Sequence, residues 1–296
     1  MKVLLAIDGS EASQKVVDEV LARPWPKETR FCVLHAVDLR GMYRLPALIE
    51  EEKRAAWVIV RKAAERIGRT GHETNADVLL GPPRRSIAEY AKEWKANFIL
   101  VGSHGQGALS RFLLGSVAQG VLRVAHCSVG VVRPSRYVSG EAGQGLKILL
   151  ATDGSASASV AVESVAQRPW PAGTEVRIIS VVQLLSPENQ LTIGSPSSVY
   201  PASLLDEVLT ESNARSQEAV AKARQVLIAA GLKVAEGENT PLGDPRLVIV
   251  EQAKAYGADL IVLGSHGWRG VDRVLMGSVS EYVAIHAPCS VEVIRA

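Results

Sequence analysis

The chain has 296 residues, with 33 Lys and Arg against 31 Asp and Glu, a net charge of +2, and 47% hydrophobic residues. That length suits about two domains of ~150 residues, and the composition excludes disordered and collagen-like chains. So even a charge balance supplies no strong pull toward DNA, RNA or anionic lipid, and no apolar run approaches the ~20 residues that span a bilayer.

Residues 3–7, VLLAI, are a continuous apolar run that predicts a buried parallel strand. The run meets Asp8 too early for a signal-peptide core. Ser10 is placed to cap a helix over residues 11–22, where Ala12, Val16 and Val20 share one face. A second strand is expected over 30–37, then a long charged helix over 50–69, closed by Gly71. A strand over 77–80, a helix over 86–95, a strand over 98–101, a helix over 117–125 and a strand over 129–132 complete the unit.

The order then starts again. Residues 2–10 read KVLLAIDGS and residues 147–155 read KILLATDGS, an offset of 145 shared by RPWP at 23–26 and 168–171. GSHG at 102–105 and 264–267, Gly115-Ser116 and Gly277-Ser278, and Cys127 and Cys289 share an offset of 162. The chain is therefore a tandem duplication whose second copy carries 17 extra residues, between about 183 and 243. The stretch of insertion over 186–202, rich in Ser and Pro, follows the second strand on the binding side; covering the second site, an intermolecular contact and a plain surface loop all remain open for it. A last strand is expected over 291–294. Residues 135–145 carry Pro-flanked Gly and Ser without an apolar period and read as a linker between domains 1–134 and 146–296. Three scattered cysteines, Cys32, Cys127 and Cys289, suit neither a disulfide framework nor a zinc site and read as buried reduced thiols of a cytoplasmic protein.

Strands alternating with helices predict an α/β architecture: two tandem five-stranded parallel-sheet domains with helices on both faces and right-handed crossovers. Ligands of such sheets sit beyond the carboxyl ends of the strands. Asp8, Val37 and Gly102 fall at that edge in the first copy, and Asp153, Val182 and Gly264 in the second. The chemistry-bearing segment is Gly102-Ser-His-Gly105, nine residues, then Gly115-Ser116, repeated as Gly264-Ser-His-Gly267, nine residues, Gly277-Ser278. Glycines let backbone N–H groups approach an anion, and a helix opening at Gly115-Ser116 offers free N–H groups to a phosphate, with the Ser116 hydroxyl as a further donor. Tight turns and helix packing explain the same glycines. The loop is neither a Walker A sequence nor a dinucleotide fingerprint, because no Lys follows the second glycine, Gly105-Gln-Gly107-Ala-Leu-Ser lacks the fingerprint's third glycine, and the loop follows the fourth strand, not the first. Asp8 and Asp153 suit ribose hydroxyls or, equally, an Asx-turn at the start of a helix. Backbone groups at Ala36-Val37 and Val181-Val182 suit a base edge. His104 and His266 lack a paired acid and read as loop-ordering; Arg111 and Arg273 read as phosphate contacts or solvated loop residues; Trp25 and Trp170 read as packing. No catalytic residue and no metal ligand is assigned.

These motifs, with an Asp ending the first strand, resemble the universal stress protein family, and within it the ATP-binding subgroup. The resemblance covers nearly the whole chain as two fused units. It implies an adenine nucleotide alpha hydrolase-like fold whose last strands, over 129–132 and 291–294, pair with each other inside the chain. It further implies that Asp8 and Asp153 meet the ribose, Ala36 and Val181 meet adenine through backbone, and Gly102, Gly105, Gly115 and Ser116, with Gly264, Gly267, Gly277 and Ser278, hold phosphates. Val117 and Val279 would line the same sites. Ala36 is smaller than the family's usual valine, and His126 stands where the second copy has Pro288. The function implied is an ATP-binding regulatory or sensor protein of the stress response, with Mg²⁺ held mainly by phosphates and water. The partner expected is an adenine nucleotide rather than nucleic acid or membrane, and a homodimer or larger homo-oligomer is compatible with the family. A slow ATPase and a nucleotide-independent, chaperone-like scaffold remain the alternatives.

Overall fold

The computed structural model describes residues 1–40, 45–105, 114–134, 145–183, 202–237, 239–267 and 276–295. The linker residues 135–144, the inserted residues 186–201, Arg111 and Arg273 lie outside these. The first half runs β1 (Lys2–Ala6), α1 (Glu11–Ala22), β2 (Arg30–Val37), α2 (Pro46–Gly68), β3 (Thr74–Leu80), α3 (Pro83–Glu93), β4 (Phe98–Gly102), α4 (Ser116–Val124) and β5 (Ser128–Val132). The second half runs β6 (Lys147–Ala151), α5 (Ala156–Gln167), β7 (Glu175–Ile179), α6 (Ala202–Ala229), β8 (Lys233–Val234), α7 (Pro245–Tyr256), β9 (Leu260–Gly264), α8 (Ser278–His286) and β10 (Ser290–Ile294).

The expected start of α1 is met, whereas α2 and α3 begin earlier than the expected 50 and 86, at Pro46 and Pro83. Ser10 caps α1 by accepting from the Ser13 N–H, and Ser155 caps α5 by accepting from that of Ala158. Pro83 and Pro245 open α3 and α7, where a missing N–H costs nothing. β3 starts three residues earlier than expected, because pairing with β2 extends it to Thr74.

The ten strands form one sheet in the order β3-β2-β1-β4-β5-β10-β9-β6-β7-β8. Every pair is parallel except β5–β10, which meet antiparallel at the centre with Glu292 opposite Gly130. The two halves therefore pair within the chain through their last strands. Because that seam is antiparallel, the carboxyl ends of β1, β2 and β4 lie along one edge of the sheet and those of β6, β7 and β9 along the other. One apolar layer, under α1, α2, α5 and α6, runs across the seam from Val3 and Phe31 to Ile148 and Leu227. The opposite layer, under α3, α4, α7 and α8, joins Leu4 and Val121 to Leu149 and Val283. Burial of this area is the main force holding the halves together.

Polar groups fix the seam. Glu292 is 2% exposed, and its carboxylate accepts from Arg23 at 2.7 Å and Arg168 at 2.6 Å, one arginine from each RPWP turn. Arg23 also pairs with Glu19 at 2.7 Å. Arg168 stacks over Trp170, centroid distance 4.8 Å, and over Phe98 of the other half, 5.7 Å. The indole N–H groups of Trp25 and Trp170 donate to Val20 and Val165 carbonyls, so both tryptophans serve packing. On the other face, Arg133 donates to the carbonyls of Ala284 and Ile285 at the end of α8, and Arg295 donates to Leu122 near the end of α4. Each half thus closes a helix of its neighbour.

Candidate functional site

At the carboxyl edge of the first half, β1 ends beside β2 and β4. In β2, even residues bond toward β1: the Arg30 N–H donates to the Met1 carbonyl, and the Leu34 carbonyl accepts from Ile7. Odd residues bond toward β3, as when Val37 accepts from Gly81. Ala36 is the next even rung, and β1 has already ended, so its N–H and C=O point into the space beyond β1. The second half repeats this. Glu175 and Ile179 bond toward β6, Ser180 and Val182 bond toward the other side, and Val181 faces the space beyond β6.

Asp8 and Asp153 reach the same spaces. Asp8 Oδ1 accepts from the Ser10 N–H at 3.0 Å, and Asp153 Oδ1 accepts from Ser155 at 2.9 Å, so the Asx-turn is present in both. The other oxygen lies against the glycine loop. A Cβ on Gly105 would sit 2.7 Å from Asp8 Oδ2, and one on Gly267 would sit 2.8 Å from Asp153 Oδ2. Only glycine fits at these two positions without moving the carboxylate.

The loop is closed at its base. The Gly115 N–H donates to Ser103 O at 2.7 Å, and the Gly277 N–H donates to Ser265 O at 2.8 Å. Gly115 and Gly277 are the N-caps of α4 and α8, and neither helix start has a side-chain cap. The first-turn N–H groups, with exposed Ser116 and Ser278 beside them, face the loop, and the N-cap glycines supply no side-chain acceptor to them. Val117 and Val279 are half-buried against the apolar layer behind. Gly102 and Gly264 have a different local cause. A Cβ there would meet the Ala12 backbone at 3.0 Å or Ser157 at 2.7 Å, so these glycines admit the start of α1 and α5 against the sheet.

The histidines lie in the loops. His104 Nδ1 is 3.0 Å from Ser103 Oγ, and His266 Nδ1 is 2.8 Å from Ser265 Oγ, while both buried Nε2 atoms lack a partner among the described residues. Burial, reinforced by the Arg295 charge, lowers the His266 pKa and keeps that ring neutral near pH 7. His35, beside Ala36, is likewise pushed down by burial against the opposing charges of Asp8 and Glu52.

The two sites differ in ways that become visible only when the halves are laid side by side. Ser157 and Ser280 stand where the first half has Ala12 and Ala118. Ser157 Oγ accepts from the His266 N–H at 3.3 Å, and Ser280 Oγ donates to Gly264 O at 2.8 Å, tying the second loop down more firmly. His35 has Ser180 as its counterpart. No group of three or more metal-ligating side chains occurs among the described residues, nor any helix long and apolar enough to cross a membrane.

The residues present fit a phosphate-bearing nucleotide. Asp8 and Gly105 meet so closely that a methyl would fill the gap, and the uncapped start of α4 faces it; Asp153, Gly267 and the start of α8 repeat the arrangement in the second half. Fold and loops together define a tandem α/β protein, two doubly wound units sharing one sheet. The model of the Universal stress protein family matches residues 1–133 and again 146–295, and the chain belongs to that family. A universal stress protein of Methanocaldococcus jannaschii is 33% identical over 141 residues, 45% of this chain and 81% of its own length. A Mycolicibacterium smegmatis universal stress protein matches along both halves, 24% identical over 99% of this chain and 96% of its own. The crystal structure of an Archaeoglobus fulgidus universal stress protein superposes with TM-score 0.67 at 23% identity, covering 99% of this chain and 98% of that one, which shows the shared fold.

Proposed function

We propose that each half holds an adenine nucleotide, ATP with Mg²⁺, and that occupancy sets the state of a regulatory protein of the stress response. The observation that carries this reading is the duplicated gap between carboxylate, glycine loop and uncapped helix start. In it the phosphates lie against Gly105 and on the N–H groups after Gly115 and Ser116, or against Gly267 and on those after Gly277 and Ser278, where the helix dipole favours negative charge. Ribose hydroxyls donate to Asp8 or Asp153. The base edge meets the open rung at Ala36 or Val181. Val117 and Val279 supply apolar contact, and Gly102 and Gly264 keep the first helix close enough to complete the wall. Such a protein signals only if its states bind the nucleotide with different affinity. The two units are taken as residues 1–134 and 146–296.

The test is to denature the freshly purified chain and to identify and count the released nucleotide by chromatography. About two adenine nucleotides per chain are expected. Gly115→Val should release about one, and Gly115→Val with Gly277→Val none, because a branched side chain at either cap meets Ser103 O or Ser265 O. Release of nothing, together with no binding of ATP at millimolar concentration, refutes the reading and leaves the scaffold function standing.

A further inference from the structure

The first turn of α3 carries an arginine whose setting differs from that of its twin. In the first half the segment is Leu80-Gly-Pro-Pro-Arg84, and in the second Leu242-Gly-Asp-Pro-Arg246. Asp244 is the N-cap of α7 and binds Arg246 with both oxygens, at 3.0 Å and 2.5 Å. Pro82 takes that place in the first half and offers no side-chain acceptor. Arg84 forms no hydrogen bond or ion pair with any described residue and is exposed.

The neighbouring helix differs in step. Arg84 lies across α4 at Gly120: a Cβ on that glycine would stand 3.0 Å from Arg84 Cβ, 2.6 Å from Cγ and 2.4 Å from Cδ. In α8 the same position is Tyr282, which denies Arg246 that path. Gly120 is four residues after Ser116, about one turn or ~6 Å along the helix and on the same face. With Cδ already over Gly120, the guanidinium covers part of that span, and a phosphate chain extending from the start of α4 covers the rest.

We propose that Arg84 is a phosphate-binding residue of the first site, contacting the terminal phosphates of a nucleoside triphosphate whose innermost phosphate lies on the start of α4. The second site has no counterpart, since Asp244 already neutralises Arg246. The two sites are therefore unequal: the first selects for a triphosphate, and the second discriminates little between mono- and triphosphate. This rests on the nucleotide reading given above and adds to it a residue and a difference in specificity.

The test is calorimetric titration of the nucleotide-free full chain with Mg-ATP and, separately, with AMP, comparing wild type with Arg84→Ala, Gly120→Ala and Arg246→Ala. Arg84→Ala should weaken ATP binding at one of two sites by tenfold or more and leave AMP binding within twofold. Gly120→Ala, whose methyl displaces the arm, should act in the same direction. Arg246→Ala should leave both ligands within twofold. Absence of ATP binding in the wild type refutes the nucleotide reading itself. Two ATP bound normally by Arg84→Ala, or equal losses for ATP and AMP, overturn the Arg84 assignment alone.

Discussion

Glu292 shows what a single buried charge does here. Burial would raise its carboxyl, but the charges of Arg168 and Arg23 outweigh that and hold it at about 2. Glu19, which also pairs with Arg23, moves the other way, because there burial dominates. The depressed Glu292 contributes stability that is complete above about pH 4.5 and is lost as pH falls toward 2. Glu292→Gln removes the acid shared by two buried guanidinium groups, leaving Arg23 with Glu19 but Arg168 without its carboxylate. It should cost about 3–5 kcal/mol at pH 7, read from urea unfolding. It should also flatten the fall in stability between pH 5 and pH 2.5; an unchanged acid profile would show that another carboxylate governs it. Gly130, opposite, is required by packing: a Cβ there would stand 2.6 Å from Leu100 Cδ2 and 2.9 Å from Phe98 Cε1. Gly130→Ala should cost about 1–3 kcal/mol by overpacking, measured the same way.

Among the elements, those with strong local signals were legible in advance. The Ser10 cap and the apolar face of α1 located that helix to the residue, and the continuous apolar runs located β1, β4 and β5 to within a residue or two. β3 was short in the sequence reading because Thr74–Ala76 carry no apolar run and become strand only by bonding to β2. The second half departs further. β8 pairs over only two residues, Lys233 and Val234, after which Gly237 packs on the Arg177 guanidinium. The site was legible where glycines and aspartates mark backbone requirements. The role of Arg84 was not, because an arginine at a helix start has no pattern of its own; the contrast of Gly120 with Tyr282 and Pro82 with Asp244 was the available signal. The helix ends at the seam were equally hidden. Arg133 makes three hydrogen bonds to carbonyls of the other half, where Arg295 makes one to Leu122. Burial lowers Arg133 to about 10, still charged at neutral pH. Arg133→Ala should therefore cost about 2–4 kcal/mol and more than Arg295→Ala, compared by urea unfolding; equal losses would mean that the carbonyls find other donors.

At the scale of the molecule, the seam rather than the linker joins the halves. A protease site placed within residues 135–144 should, once cut, leave both fragments eluting together at the size of the uncut chain; separation on gel filtration would contradict this. The seam also points the two candidate sites toward opposite edges of the sheet, so a single compact partner meets one of them at a time. A strand that pairs antiparallel with its own twin sets the residue at the axis against itself. Two glutamates would repel there, and two glycines would leave both arginines without a shared acid. Within one chain that symmetry does not bind the copies, and the second carries the charge while the first keeps the space. Neither half therefore fits its own twin: a gene encoding either half alone would make a dimer contact mismatched to itself.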